Sequence, residues 1–153
     1  MNLYDETRFI MKQNNITANK KLGQNFLVDE NVVDSIIDSA EVTKEDLVIE
    51  IGPGLGTLTK RLLDRAGKVI CIELDHKMIS ILENRFKLYD NIEIINEDVL
   101  KIDLNKLIEL NKNKNIKKAK IVANLPYYIT TPIIMKLLEE RLDIETITVM
   151  IQK

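Results

Sequence analysis

The chain contains one cysteine, Cys71, so no internal disulfide is available to it. It contains one histidine, His76, with no second histidine or cysteine beside it, and no metal site is expected. No apolar run approaches the roughly 20 residues that a membrane-spanning helix needs. The N-terminus, Met1-Asn2-Leu3-Tyr4-Asp5-Glu6, carries acids and lacks the apolar segment of a secretory signal. No membrane partner is therefore expected, and a cytoplasmic location is. Cys71 lies inside an apolar run and reads as a core residue. No convincing set of serine, histidine and aspartate for nucleophilic catalysis assembles.

The 153 residues suffice for one core of ordinary size. Hydrophobic residues make up 45% and charged residues 30%, the profile of a soluble globular domain. The net charge of −2 does not point to nucleic acid, although a basic patch on one face is enough to hold phosphates. Two stretches are locally basic. One is Lys12 with Lys20-Lys21; the other is Lys112, Lys114, Lys117, Lys118 and Lys120. A solvated loop rich in lysine and asparagine is the expectation for the second.

Residues 1–20 lack a clear period and read as an N-terminal arm or helix. Residues 21–153 read as the core. A helix is predicted over Glu30 to Ser39, where Val32, Val33, Ile36 and Ile37 recur at helical spacing, with Asp29 as its N-cap. Five short apolar runs follow, each a predicted strand: Leu47 to Ile51, Lys68 to Glu73, Asn91 to Asn96, Ala119 to Asn124 and Thr146 to Ile151. Helices are predicted between them over Thr57 to Ala66, Asp75 to about Lys87, 103–110 and Thr131 to Glu140. This alternation predicts an α/β fold, a parallel sheet with helices on both faces. The chain stops after the fifth run, and an uncovered apolar edge is a liability. The expectation is therefore the front part of a longer protein.

Such sheets bind ligands at the carboxyl ends of their strands. Gly52, Glu73, Asp98 and Asn124 each end or follow a different predicted strand. The glycines of Gly52-Pro53-Gly54-Leu55-Gly56 let the backbone turn sharply and approach a ligand closely. The spacing is not the G-x-G-x-x-G of dinucleotide sites, and no lysine-serine/threonine pair follows it. It suits the amino-acid end of a nucleoside without phosphates; a structural turn is the alternative. Glu73, 21 residues past Gly52, is placed to accept ribose hydroxyls, or is a surface acid. Asp98 is placed to accept from an adenine amino group.

Asn124-Leu125-Pro126-Tyr127-Tyr128 is the most specific segment. A planar exocyclic amine is a poor nucleophile, because its lone pair is delocalised into the ring. The Asn124 side chain and the carbonyl of Leu125 or Pro126 would accept its hydrogens and bias it towards tetrahedral geometry. Pro126 stiffens the turn, and Tyr127 offers a face on which a base can stack. Positioning such an amine in line with an activated methyl needs no general base. A turn with buried tyrosines is the alternative. Leu22-Gly23-Gln24-Asn25-Phe26-Leu27 reads, from its residues alone, as a polar loop with one buried phenylalanine.

Lys21 to Leu27, Glu50 to Thr59, Glu73, Asn96-Glu97-Asp98 and Asn124 to Tyr128, in this order and spacing, resemble the rRNA adenine N6-dimethyltransferase family over about residues 18 to 153. The glycine loop and the Asn124 segment are more similar to the branch acting on small-subunit RNA than to the Erm antibiotic-resistance branch. The resemblance implies a Rossmann-like class I S-adenosylmethionine-dependent methyltransferase. Its substrate would be two adjacent adenosines near the 3′ end of 16S rRNA, each dimethylated at N6. S-adenosylmethionine would be the donor and small-subunit RNA the partner, with the protein a monomer. Asn25, Leu27, Gly52, Glu73, Asp98 and Asn124 would contact the cofactor, with Gly54 in the same loop. Asn124 and Tyr127 would hold the target adenine. The resemblance also implies a C-terminal helical RNA-binding domain that this chain lacks. An Erm-type enzyme acting on 23S rRNA and a non-catalytic ribosome assembly factor are the competing expectations.

Overall fold

A computed structural model describes residues 2–16 and 29–152, and of residues 126, 127, 151 and 152 the backbone alone. The element order is α1 (Leu3–Gln13), α2 (Glu30–Ala40), β1 (Asp46–Ile51), α3 (Thr57–Arg65), β2 (Lys68–Glu73), α4 (His76–Arg85), β3 (Ile92–Asn96), α5 (Leu104–Asn111), β4 (Lys118–Pro126), α6 (Tyr127–Glu139) and β5 (Thr146–Gln152). A 3-10 turn, Val99–Lys101, lies between β3 and α5. All five predicted strands form.

Each strand pairs in parallel with its neighbours, in the order β3-β2-β1-β4-β5. The chain steps outward from β1 to β3, then returns to the far side of β1 for β4. The β1–β4 boundary is therefore the switch point, where a crevice opens beyond the strand ends.

Strand alternation divides the core into two layers. Val48, Val69, Cys71 and Val122 face one side, where they meet Val33 and Ile37 of α2, Leu58 and Leu62 of α3 and Leu82 of α4. Leu47, Ile49, Ile51, Ile70, Ile72, Ile121 and Ala123 face the other, under Leu104 and Ile108 of α5 and Ile133 and Leu137 of α6. Burial on both faces is what makes these strands read as continuous apolar runs.

Aspartates start α2, α4 and α5. Asp29, Asp75 and Asp103 accept from the amides of Asn31, Lys77 and Lys106, at 2.9, 2.9 and 3.1 Å. Each satisfies a donor that the first helical turn leaves without a partner. Two boundaries differ from expectation. Helix α6 begins at Tyr127, directly after β4, so the Asn124 segment is a strand end joined to a helix start with no loop between. The Asp98 region is not plain loop, because Asp98 caps the 3-10 turn by accepting from Leu100 N at 3.0 Å. Among the described residues no helix is long and apolar enough to cross a membrane.

Candidate ligand site at the strand ends

Four strand ends meet around the switch point. Gly52 follows β1 with φ +70°, a conformation open to glycine at little cost, and its amide donates to the carbonyl of Ile72 at 3.0 Å. A Cβ built on Gly52 would stand 3.3 Å from the carbonyl oxygen of Asn124. Loop and β4 end are thus in contact, and a side chain would pry them apart.

Glu73 closes β2. One of its carboxylate oxygens accepts from Gly54 N at 3.1 Å, the other from Asp75 N at 3.0 Å. Burial raises its pKa, and the hydrogen bonds from the amides of Asp75 and Gly54 oppose that rise. Each carboxylate oxygen retains a further lone pair for a ligand hydroxyl. Glu73 ↔ Asn96 is a register pair, and Asn96 Nδ2 donates to the carbonyls of Glu73 and Leu74 at 2.9 and 3.1 Å. The β3 end is thereby tied to the turn after β2. Beyond it, Asp98 N donates to Glu97 Oε1 at 2.9 Å. Neither Glu73 nor Asp98 has a cationic partner among the described residues.

Gly52, Gly54, Glu73 and Asn124 are therefore in one place, with Asp98 on the adjoining strand end. Pro126 closes β4 and Tyr127 opens α6, rather than lying in a turn ahead of a helix from Thr131, and their side chains lie outside the described residues. So do Asn25 and Leu27.

Three residues escaped the sequence reading as individuals. Leu74 and Leu100, neighbours of Glu73 and Asp98, keep 57% and 40% of their surface exposed at this edge. A leucine between the two acids Glu73 and Asp75 was the available signal. The third is Glu50, which shares a strand face with Val48 and so faces α3 from within the core. It is 1% exposed; Thr59 Oγ1 donates to its Oε1, and Cys71 Sγ lies 3.8 Å from the same oxygen. Its Oε2 finds no partner among the described residues. Burial pushes its pKa up to about 7, against the lowering effect of the Thr59 and Cys71 hydrogen bonds. A neutral carboxyl is far cheaper to bury than a carboxylate. Cys71 is a core residue as expected, and burial raises its thiol pKa as well.

The second lysine cluster lies at the other end of the sheet. Lys118 begins β4, and register pairs it with Asp46. Lys112 pairs with Asp143, Lys117 with Glu45 and Lys118 with Glu145. Lys120 departs from the solvated loop expected of it. It is 5% exposed, and its Nζ stands 2.9 Å from Asp46 Oδ2 and 2.7 Å from the Glu41 carbonyl.

A model of the ribosomal RNA adenine dimethylase family matches residues 15–153. The chain belongs to that family. A curated member, the ribosomal RNA small subunit methyltransferase A of Clostridium botulinum (strain Langeland), is 54% identical over 147 residues, covering 96% of this chain and 52% of its own length. The chain thus spans about half the length of the curated relatives it matches. Among solved structures, the 23S rRNA methyltransferase ErmE superposes with a TM-score of 0.70 at 33% identity, over 84% of this chain and 48% of its own. A dimethyladenosine transferase from Plasmodium falciparum gives 0.68 at 34% identity, over 84% and 44%. The Rossmann-like methyltransferase fold read from the sequence is thus found.

Proposed function

We propose that this chain is the cofactor-binding and catalytic core of an enzyme that dimethylates the N6 amines of adenosines in small-subunit ribosomal RNA, with S-adenosylmethionine as donor. The observation that carries the reading is the convergence of Gly52, Gly54, Glu73 and Asn124 at the switch point, with Asp98 beside them. The 54% identity to a small-subunit methyltransferase, against 33% to ErmE, favours small-subunit RNA over large-subunit RNA.

The residues fit this donor. The glycine loop brings backbone within van der Waals reach of the β4 end, in a space that a Cβ would fill. It offers no lysine for phosphates, as a phosphate-free nucleoside allows. Glu73, anchored by two amides, would accept from the ribose hydroxyls. Asp98, fixed by its own turn, would accept from the adenine amino group, with the apolar surfaces of Leu74 and Leu100 at hand for the base. When bound, the cofactor supplies an electrophilic methyl group.

The protein's part is to hold the acceptor amine. Asn124 and the carbonyls of the segment after it would accept the N6 hydrogens and bias the nitrogen away from planarity. Pro126, the last residue of β4, limits the freedom of the backbone where strand meets helix. Tyr127 is assigned the stacking face from its place in the sequence. Asn25 and Leu27 are assigned to the cofactor on the same ground. Positioning of this kind accounts for large accelerations without a proton acceptor of tuned pKa.

The test is methylation of undermethylated small subunits by the intact gene product, read by mass spectrometry of the RNA. N6,N6-dimethyladenosine should appear in small-subunit RNA. Its appearance in large-subunit RNA alone would overturn the assignment. The Asn124→Ala variant should lose about 100-fold or more in turnover, since one of two amine acceptors goes. Undiminished turnover would reject the role given to Asn124.

A further inference from the structure

Helix α1 lies upstream of the stretch matched by the family model, yet it is fastened to the glycine loop through one side chain. Arg85 ends α4. Its Nη1 donates to the carbonyl of Leu55 at 2.7 Å, and its Nη2 donates to the carboxylate of Glu6 on α1. Leu55 is the residue between Gly54 and Gly56. Its side chain is buried with Met78 and Ile81 of α4, and Ile10, Met11 and Ile16, from α1 and the turn after it, pack against them. The guanidinium sits 5.3 Å from the centre of the Phe86 ring, and that ring occupies the space a Cβ on Gly56 would need, 2.6 Å away. At its other end, α1 is tied to α2 by Leu3 N donating to Glu30 Oε1 at 2.9 Å. The glycine loop is thus gripped at Leu55 in two ways, by packing on the side chain and by a charged donor on the carbonyl.

We propose that Arg85 and Glu6 are positioning residues for the glycine loop, so that α1 belongs to the cofactor site as its outer brace. A guanidinium suits this task, because its planar fork presents several donors at fixed angles and serves a carbonyl and a carboxylate together. An ammonium keeps the charge but not the fork. Glu6 supplies the countercharge that lets the largely buried guanidinium stay where it can reach Leu55; Lys60, 3.8 Å from Glu6, lies at the exposed side of the same pair. Loss of either partner frees the Leu55 carbonyl and with it the loop in which Gly52, Gly54 and Gly56 hold positive φ.

The inference rests on the cofactor reading above. Its test is S-adenosylmethionine affinity by calorimetry at 25 °C, with thermal melts and amide hydrogen exchange, on the parent and on the Arg85→Met, Arg85→Lys and Glu6→Gln variants. Arg85→Met should weaken binding at least tenfold. Arg85→Lys and Glu6→Gln should weaken it about threefold to tenfold while the chain stays folded. In all three, the amides of residues 52 and 54–56 should exchange faster before ligand is added. A parent that fails to bind would overturn the cofactor reading, and this proposal with it. A parent that binds, with folded variants that bind equally well and melt lower, would overturn this proposal alone, since that is what a merely structural pair would give.

Discussion

The two ends of one sheet treat charge in opposite ways. At the amino end of the strands, acids and lysines cancel in pairs: Asp46 with Lys120, Glu45 with Lys117, Glu145 with Lys118, and Asp143 with Lys112. At the carboxyl end, Glu73 and Asp98 are held by backbone amides, with no cation beside either among the described residues. Amides fix each of these carboxylates in place without neutralising its charge, whereas at the amino end lysines supply the countercharge. One end is therefore closed by its own countercharges, and the other leaves its carboxylates without one among the described residues. The lysine cluster, read from the sequence as a solvated loop, belongs to the closed end.

The sharpest break of this contrast is Lys120→Met. It strands the buried Asp46 carboxylate, whose Oδ2 would retain only the amide of Thr43 at 2.6 Å. Breaking a buried pair from one side costs about 3–5 kcal/mol. Urea unfolding should show that loss, with cofactor affinity unchanged wherever the chain remains folded. A weaker affinity would mean the two ends are coupled.

Glu50, in the core between the ends, sets a pH dependence. Its pKa is about 7 when folded, against an ordinary value of 4.5. Between those values the folded chain holds a proton that the unfolded chain releases. Stability should therefore fall as pH rises through this window and level off above it, a loss of roughly 3 kcal/mol. The Glu50→Gln variant should match the parent near pH 4 and exceed it at pH 8. Parallel pH profiles for both would show that another group is responsible.

Glu73→Ala should weaken S-adenosylmethionine binding by roughly 1–3 kcal/mol, through lost hydrogen bonds to the ribose and a loosened Gly54. An unchanged dissociation constant would reject the ribose assignment. The smallest effect belongs to Lys117→Ala. Its partner is exposed, and such pairs contribute about 0–1 kcal/mol. Affinity of the intact gene product for small subunits should not move, and a large drop would reopen the closed end as an RNA surface.

Much of this was legible in order along the chain. Strands buried on both faces must be short apolar runs, and a parallel sheet then places whatever follows each run at one edge. That is why Gly52, Glu73, Asp98 and Asn124 could be picked out without coordinates. Helix starts were legible where an aspartate precedes the first turn, as at Asp29 and Asp75. The start of α6 was not, because nothing local separates the end of β4 from Tyr127.

What the sequence by itself determined is therefore the alternation of elements and the identity of the residues at the strand ends, since both follow from local composition and period. Partnership was decided by tertiary structure alone. Lys117 and Lys120 are the same residue type three positions apart. One stays in water while the other is buried against Asp46, because Lys117 precedes β4 whereas Lys120 lies within it, beside β1. In the same way Glu6 and Arg85 stand 79 residues apart in the chain. No period or propensity joins them, and only the packing of α1 on Leu55, Met78 and Ile81 turns an N-terminal helix into a brace for the glycine loop.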